Sequence, residues 1–437
     1  MMIKNTRKSN LDKMKDLFLE SDKSFGLYLH VPFCEGKCRY CDFYSENFDL
    51  AGMDQYLACL KEEIKIYSSI VKSNNYEASN GYLETIYIGG GTPGLLTVEQ
   101  LAEILALIIQ CFDYPIKDEI TIEANPYSLT EEKIAGYRGL GVNRLSLGVQ
   151  SFSDRDLKFL GRKHTAREAV ETISSIDSCF NNYNIDLIFA IPGQSVIDWQ
   201  KTLEKAINLN PNHISLYNLQ IEEDTPLAVS LDAGEFEVIN DTIDAEMYLL
   251  AQDMLVDSGY QHYEISNFAK PDFQSQHNRL YWELKPYLGL GPAAHSFIGK
   301  ERFNNYSDIN KYNKVLLKTI QNRKCDKNNN QEINRAKLIN EIGFDDSDSI
   351  AFLPIENIME LTTEDLMAEK LFMGLRLLEG ISLKSFYEDF GISLEEKYHD
   401  EIKNLKFLDL IEIKKQRVKL TKRGLLHGNR VFMEFLP

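Results

Sequence analysis

The chain has 437 residues, enough for two or three domains. Its 43% hydrophobic content supplies a packed core and argues against global disorder. A net charge of -18 disfavours whole-chain attraction to nucleic acid, and no run of about 18 apolar residues offers a membrane span.

Residues 1–23 read as a polar N-terminal extension without the apolar core of a secretory signal. From residue 24, short runs rich in Ile, Leu, Val and Tyr predict strands at 25–31, 85–88, 120–123, 144–149, 185–190 and 213–219. Apolar spacing of three and four predicts helices over 53–71, 98–111 and 196–209. In the first of these, Met53, Tyr56, Leu57, Leu60, Ile64 and Tyr67 share one face, while Thr97 and Thr130 suit N-cap positions. Strands alternating with helices predict an α/β fold with a parallel sheet, in which function gathers at C-terminal strand ends. The unusual residues fall at those ends. A cysteine cluster follows the first strand, Gly89, Gly90 and Gly91 the second, Asn125 and Pro126 the third, Gln150 the fourth, and Pro192 and Gly193 the fifth.

The main α/β domain is read as 24–270. A connecting region, 271–361, holds a polar, Asn-rich insertion at 318–352. The tail, 362–437, has helical patterns at 366–378, 383–390 and 394–407. A hairpin follows at 410–413 and 418–420, then a last helix after Thr421. That order suggests a smaller α+β, winged-helix-like module. Lys414, Lys415, Arg417, Lys419, Lys422 and Arg423 would suit DNA, but the module is short and the chain acidic, so packing or a partner is the expected role.

Of seven cysteines, Cys34, Cys38 and Cys41 are spaced C-x3-C-x2-C after a strand, and Cys59, Cys111, Cys179 and Cys325 are scattered. An odd, clustered set without a secretory signal reads as metal or cluster ligation in a reducing, cytoplasmic setting. Three thiolates on a four-iron cube leave one iron open to a chelating small molecule. Zinc is the competing reading, with His30 as fourth ligand. In GGGTP, backbone without side chains lets a ligand approach closely. Glu123 at a strand end needs a partner such as a ribose or an ammonium group. Gln150 can donate and accept together, Arg162 offers a fork to a carboxylate, and Asp186 within a strand needs a reason to be there.

The cysteine spacing resembles the radical S-adenosylmethionine superfamily. YLHVPFC, GGGTPGLL, EITIEANP, GVNRLSLGVQSF, IDLIFAIPGQ, YEISNFA and HNRLYW, in that order, resemble the HemW family, relatives of oxygen-independent coproporphyrinogen III oxidase. The resemblance implies a partial (β/α) barrel of about six parallel strands and a [4Fe–4S] cluster on Cys34, Cys38 and Cys41. It also implies S-adenosylmethionine at Tyr28, Tyr40, Gly90, Gly91, Thr92, Glu123, Gln150, Arg162 and Asp186. An electron from a donor protein would pass through the cluster and cleave that cofactor to a radical. His277, Asn278, Tyr281 and Trp282 match the family's haem-binding HN-x2-YW pattern, His277 as axial ligand and Tyr281 and Trp282 as flat apolar area. His295 is a second candidate ligand. The family's role is to bind haem and hand it to an acceptor protein. The oxidase branch has a further cysteine where this chain has Phe43, which puts coproporphyrinogen III oxidation in doubt.

Overall fold

A computed structural model describes residues 24–73, 82–112, 116–328 and 353–436. The N-terminal extension and most of the Asn-rich insertion lie outside the described residues. In chain order the strands are β1 (Ser24–Val31), β2 (Phe33–Cys34), β3 (Glu46–Asn47), β4 (Tyr82–Gly90), β5 (Ile116–Ala124), β6 (Arg144–Gln150), β7 (Tyr183–Phe189), β8 (His213–Asn218), β9 (Gln261–Glu264), β10 (Asn267–Ala269), β11 (Tyr287–Leu290), β12 (His295–Ile298), β13 (Glu301–Asn305), β14 (Ile355–Glu360), β15 (Ile381–Ser382), β16 (Ile411–Lys414) and β17 (Arg417–Leu420). They fall into two compact units, each drawn from several stretches of chain. No helix among the described residues is long and apolar enough to cross a membrane.

The first unit takes in residues up to Glu35, Tyr44–Asp118 and Pro286–Glu360. Here β1 pairs in parallel with β4 on one side and with β11 on the other, and β12, β13 and β14 continue antiparallel outward. The helix Leu50–Ser73 buries Met53, Tyr56, Leu57, Leu60, Ile64 and Tyr67, the face that the spacing predicts. The helix Val98–Phe112 buries Leu101, Ile104, Leu105, Ile108 and Phe112 at the same spacing, each worth about 1.5–3 kcal/mol relative to exposure. The stretch read from sequence as a connecting region supplies β11 to β14 and the helix Ile309–Asn328.

The second unit takes in Gly36–Phe43, Glu119–Lys285 and Leu361–Pro437. Strands β5, β6, β7 and β8 run parallel in that order, and β10 and β9 add antiparallel beyond β8. Every residue of β6 is buried, as a parallel strand covered on both faces requires. Thr130, Thr165 and Ser195 cap the following helices through their side chains. The tail packs around Leu371, Phe386, Leu405, Val418 and Phe432, with a three-stranded sheet in the order β15-β17-β16. The helix expected over 394–407 is two pieces, Leu394–Lys397 and His399–Phe407, because Tyr398 turns its ring onto Phe386 and Phe435.

Candidate functional site

In the first unit, Tyr28 and His30 project from β1, and Cys34 ends β2. Tyr44 O can only accept, so the bond from His30 Nε2 at 3.2 Å assigns the proton to Nε2; Nδ1 then accepts from the Tyr28 hydroxyl at 3.0 Å. Burial, partly offset by the Tyr44 carbonyl and reinforced by His295, lowers the His30 pKa to about 4, so the ring is neutral. Both ring nitrogens are engaged, leaving none for a zinc ion. Gly90 and Gly91 make close backbone approaches. A Cβ on Gly90, whose φ is +111°, would sit 2.9 Å from the His30 ring, and one on Gly91 would sit 2.6 Å from Phe33 O. Thr92 Oγ1 donates to Cys34 Sγ at 3.3 Å. His295 begins β12 with its side chain exposed.

In the second unit, the loop carrying Cys38 and Cys41 is pinned through Arg39. Arg39 N donates to Leu160 O, its carbonyl accepts from Leu227 N, and Nη2 reaches Ser230 Oγ at 2.7 Å. Arg162 donates from Nη1 to Cys38 Sγ at 3.3 Å, and from Nη2 to Gly148 O at 2.6 Å and to Asn125 Oδ1. Tyr40 packs against Leu160, Ile188 and Ile191, and burial pushes its phenol pKa up despite Arg162. Gln150 ends β6 and Ala190 follows β7, with φ of +67° and +58°, left-handed values that cost energy for residues with a Cβ and concentrate at functional sites. Glu123 is half-buried near the end of β5, in register with Ser146. Burial raises the Asp186 pKa, against donors from Ser215, Asn184 and Ser146 and the charge of Arg144. Phe43, at the end of the loop, is 66% exposed.

The HNRLYW residues form the helix Gln276–Trp282, whose N-cap Ser275 accepts from Asn278 N. His277 is fully buried, and its Nε2 meets the Tyr281 hydroxyl at 2.8 Å. Burial, then the charge of Arg144, lowers its pKa to about 3. The helix start rests on Glu119, which accepts from Gln276 N at 3.0 Å and His277 N at 3.4 Å and faces Arg144 at 4.0 Å, both side chains buried. A chain of bonds runs from here toward β7. Ser275 N donates to Tyr263 OH, Tyr263 OH donates to His213 Nε2 at 2.8 Å, and His213 Nδ1 donates to Asn184 Oδ1 at 2.6 Å; Asn184 Nδ2 donates to Asp186 at 2.7 Å. Glu119, Arg144, Asn184, His213 and Tyr263 are not among the site residues expected from the sequence, although Glu119, Arg144 and Tyr263 stand inside the motifs quoted above. The signal was charged or amide residues set inside otherwise apolar strands.

With two side chains donating to cysteine sulfur, cysteines at this spacing and glycines with no room for a Cβ, the chain falls in the class of radical S-adenosylmethionine proteins. Residues 28–206 match the radical SAM superfamily, and residues 361–427 match the HemN C-terminal domain. Coproporphyrinogen III oxidase (HemN) from Escherichia coli has the same fold, with a TM-score of 0.77 over 97% of this chain and 93% of that one at 20% identity. The haem chaperone HemW of Bacillus subtilis is 34% identical over 412 residues, 94% of this chain and 98% of that protein. Its counterpart in Lactococcus lactis is 32% identical over 410 residues, 94% and 96% of the two chains. The chain belongs to the HemW family.

Proposed function

We propose that this protein is a haem chaperone: it carries a [4Fe–4S] cluster on Cys34, Cys38 and Cys41, binds S-adenosylmethionine, and delivers haem to an acceptor protein. The cluster, when bound, supplies one-electron chemistry at the sulfonium of the cofactor, fed by an electron donor protein. The residues suit those groups. Arg162 and Thr92 offer N–H and O–H to thiolate sulfur, the kind of bond that tunes a cluster. Tyr28, oriented by His30, and the bare backbone at Gly90 and Gly91 line the cofactor's approach. Glu123, Gln150 and Asp186 supply polar partners for it. Cys34, Cys38, Cys41, Cys59, Cys111 and Cys179 are not joined in disulfides, which suits a reducing compartment, and we assign the protein to the cytoplasm.

The observation that carries the choice of carrier over oxidase is Phe43. Its phenyl ring can neither ligate iron nor give up a hydrogen atom as a thiol does, and the full-length relatives bear the chaperone name. The test is anaerobic reconstitution followed by haem titration and a product assay with coproporphyrinogen III. Haem binding without protoporphyrinogen IX is the expected outcome. Turnover to protoporphyrinogen IX at enzymatic rates reverses the assignment.

His277 is neutral, the protonation state an iron ligand needs, but its Nε2 is engaged by Tyr281. If His277 is the axial ligand, Tyr281→Phe releases that nitrogen, and haem affinity holds or rises while His277→Ala loses about tenfold, roughly 1.4 kcal/mol. An unchanged Soret spectrum in folded His277→Ala moves the ligand to another residue, His295 first.

A further inference from the structure

Arg279, inside the HNRLYW helix, and Arg376, which lies over that helix's last residue, differ in one respect. Arg279 is saturated: Nε donates to Glu283 at 2.9 Å, Nη1 to Gln274 at 2.6 Å and Nη2 to Glu379 at 3.0 Å. Arg376, just beyond the helix Thr363–Gly374, is half-buried, and its guanidinium carbon lies 4.4 Å from the centroid of the Trp282 ring. Among the described residues its buried Nε has no hydrogen-bond partner, and neither has the buried Nε1 of Trp282 beneath it. The acid whose charge it feels, Glu264, does not take it as a partner. Glu264 Oε1 accepts from Ser266 N at 3.1 Å and from Asn267 Nδ2, while Oε2 is left without a hydrogen bond.

A buried guanidinium N–H without an acceptor is costly, and a planar fork in that state is matched by a carboxylate. Stacking over an aromatic ring holds the fork in place before any ligand arrives, so less freedom is lost on binding. Porphyrins of the haem type carry their carboxylates on one edge and an apolar face on the other side of the same disc. A tryptophan beneath an arginine whose Nε lacks an acceptor offers a counterpart to both. We propose that Arg376 recognises a propionate of haem, fixing the porphyrin edge over Trp282. This rests on the haem reading above and adds to it a residue from the C-terminal module, outside the HN-x2-YW pattern.

The test uses the full chain, titrated with ferric protoporphyrin IX and with its dimethyl ester, in which both carboxylates are masked. The unaltered protein is expected to prefer the free acid by about tenfold. Arg376→Met keeps apolar cover on Trp282 and is expected to abolish that preference, with ester affinity unchanged. Arg376→Lys keeps the charge without the fork and should fall between; it also serves if the methionine variant melts early. Equal weakening of both ligands in Arg376→Met would mean that Arg376 acts through packing, and overturns the proposal. Equal affinity of the unaltered protein for acid and ester overturns it as well. Failure of the unaltered protein to bind either porphyrin removes the haem reading itself, and this inference with it.

Discussion

The cluster loop and the HNRLYW helix are both short motifs, and they hold their ligand atoms in opposite ways. Cys34, Cys38 and Cys41 are half-buried, and Cys34 and Cys38 each accept a hydrogen bond from a neighbouring side chain. The imidazole of His277 is fully buried and tied to Tyr281, above a buried Glu119–Arg144 pair. One region presents its donors; the other stores its donor in a polar core. A motif fixes which atoms are available, and the packing around it fixes whether they can be reached without rearrangement.

Four measurements press on that contrast. The largest effect is expected at the loop. Replacing Cys34, Cys38 and Cys41 together by alanine should abolish the cluster absorbance after anaerobic reconstitution, and four irons with four sulfides retained per chain would refute the assignment of ligands. Next comes the foundation of the helix. Glu119→Ala removes the acceptor of four hydrogen bonds, from Thr121 Oγ1, Ser275 Oγ, Gln276 N and His277 N, and leaves Arg144 buried without its acid, which costs about 3–5 kcal/mol in urea unfolding; a loss under about 1 kcal/mol would mean the pair does not anchor the motif.

The third measurement compares the two buried imidazoles. His30 and His277 have folded pKa values of about 4 and about 3, both below the free value of 6.5. A lowered imidazole pKa means that the unfolded chain binds the proton more readily. The stability tied to each ring is therefore whole above pH 6.5 and is lost as pH falls toward about 4 and about 3 respectively. Between pH 6.5 and pH 5 each ring should account for about 2 kcal/mol of acid destabilisation. His30→Gln and His277→Gln should each flatten that limb; an unchanged slope in either variant would show that its ring titrates freely. The smallest effect is expected at Arg162. Arg162→Met removes one N–H···S bond and one positive charge, which should make the cluster potential more negative by about 60 mV, a factor of ten for one electron. A potential that does not move would separate Arg162 from the cluster and leave it as a tie between Asn125 and Gly148.

The six parallel strands, the long amphipathic helices and the tail hairpin were legible because each announces itself locally, through alternation, spacing and caps. β11 to β14 were not legible. They are four to six residues long; β11 gains its identity by pairing with β1 across some 260 positions of chain, β12 and β13 by pairing with each other, and β14 by pairing with β13 across some 50 to 60 positions. The bulk of the candidate-site residues were legible as types at strand ends, and the network under the helix was not, since Glu119, Arg144, Asn184 and His213 belong to four different strands.

The sequence alone determined the chemistry on offer: three thiols spaced C-x3-C-x2-C, three consecutive glycines after a strand, a phenylalanine two positions beyond the third thiol, and an imidazole shortly before a tyrosine and a tryptophan. Those are properties of residue type and of separation along the chain, and they survive without a fold. Only the tertiary structure decided that His277 is buried on Tyr281, that Arg279 is saturated and that Arg376 lies over Trp282 without a partner for its Nε. Burial and partnership depend on residues brought in from other stretches of chain as well as from the neighbouring turn, and desolvation makes an unsatisfied polar atom costly only once those residues have closed around it.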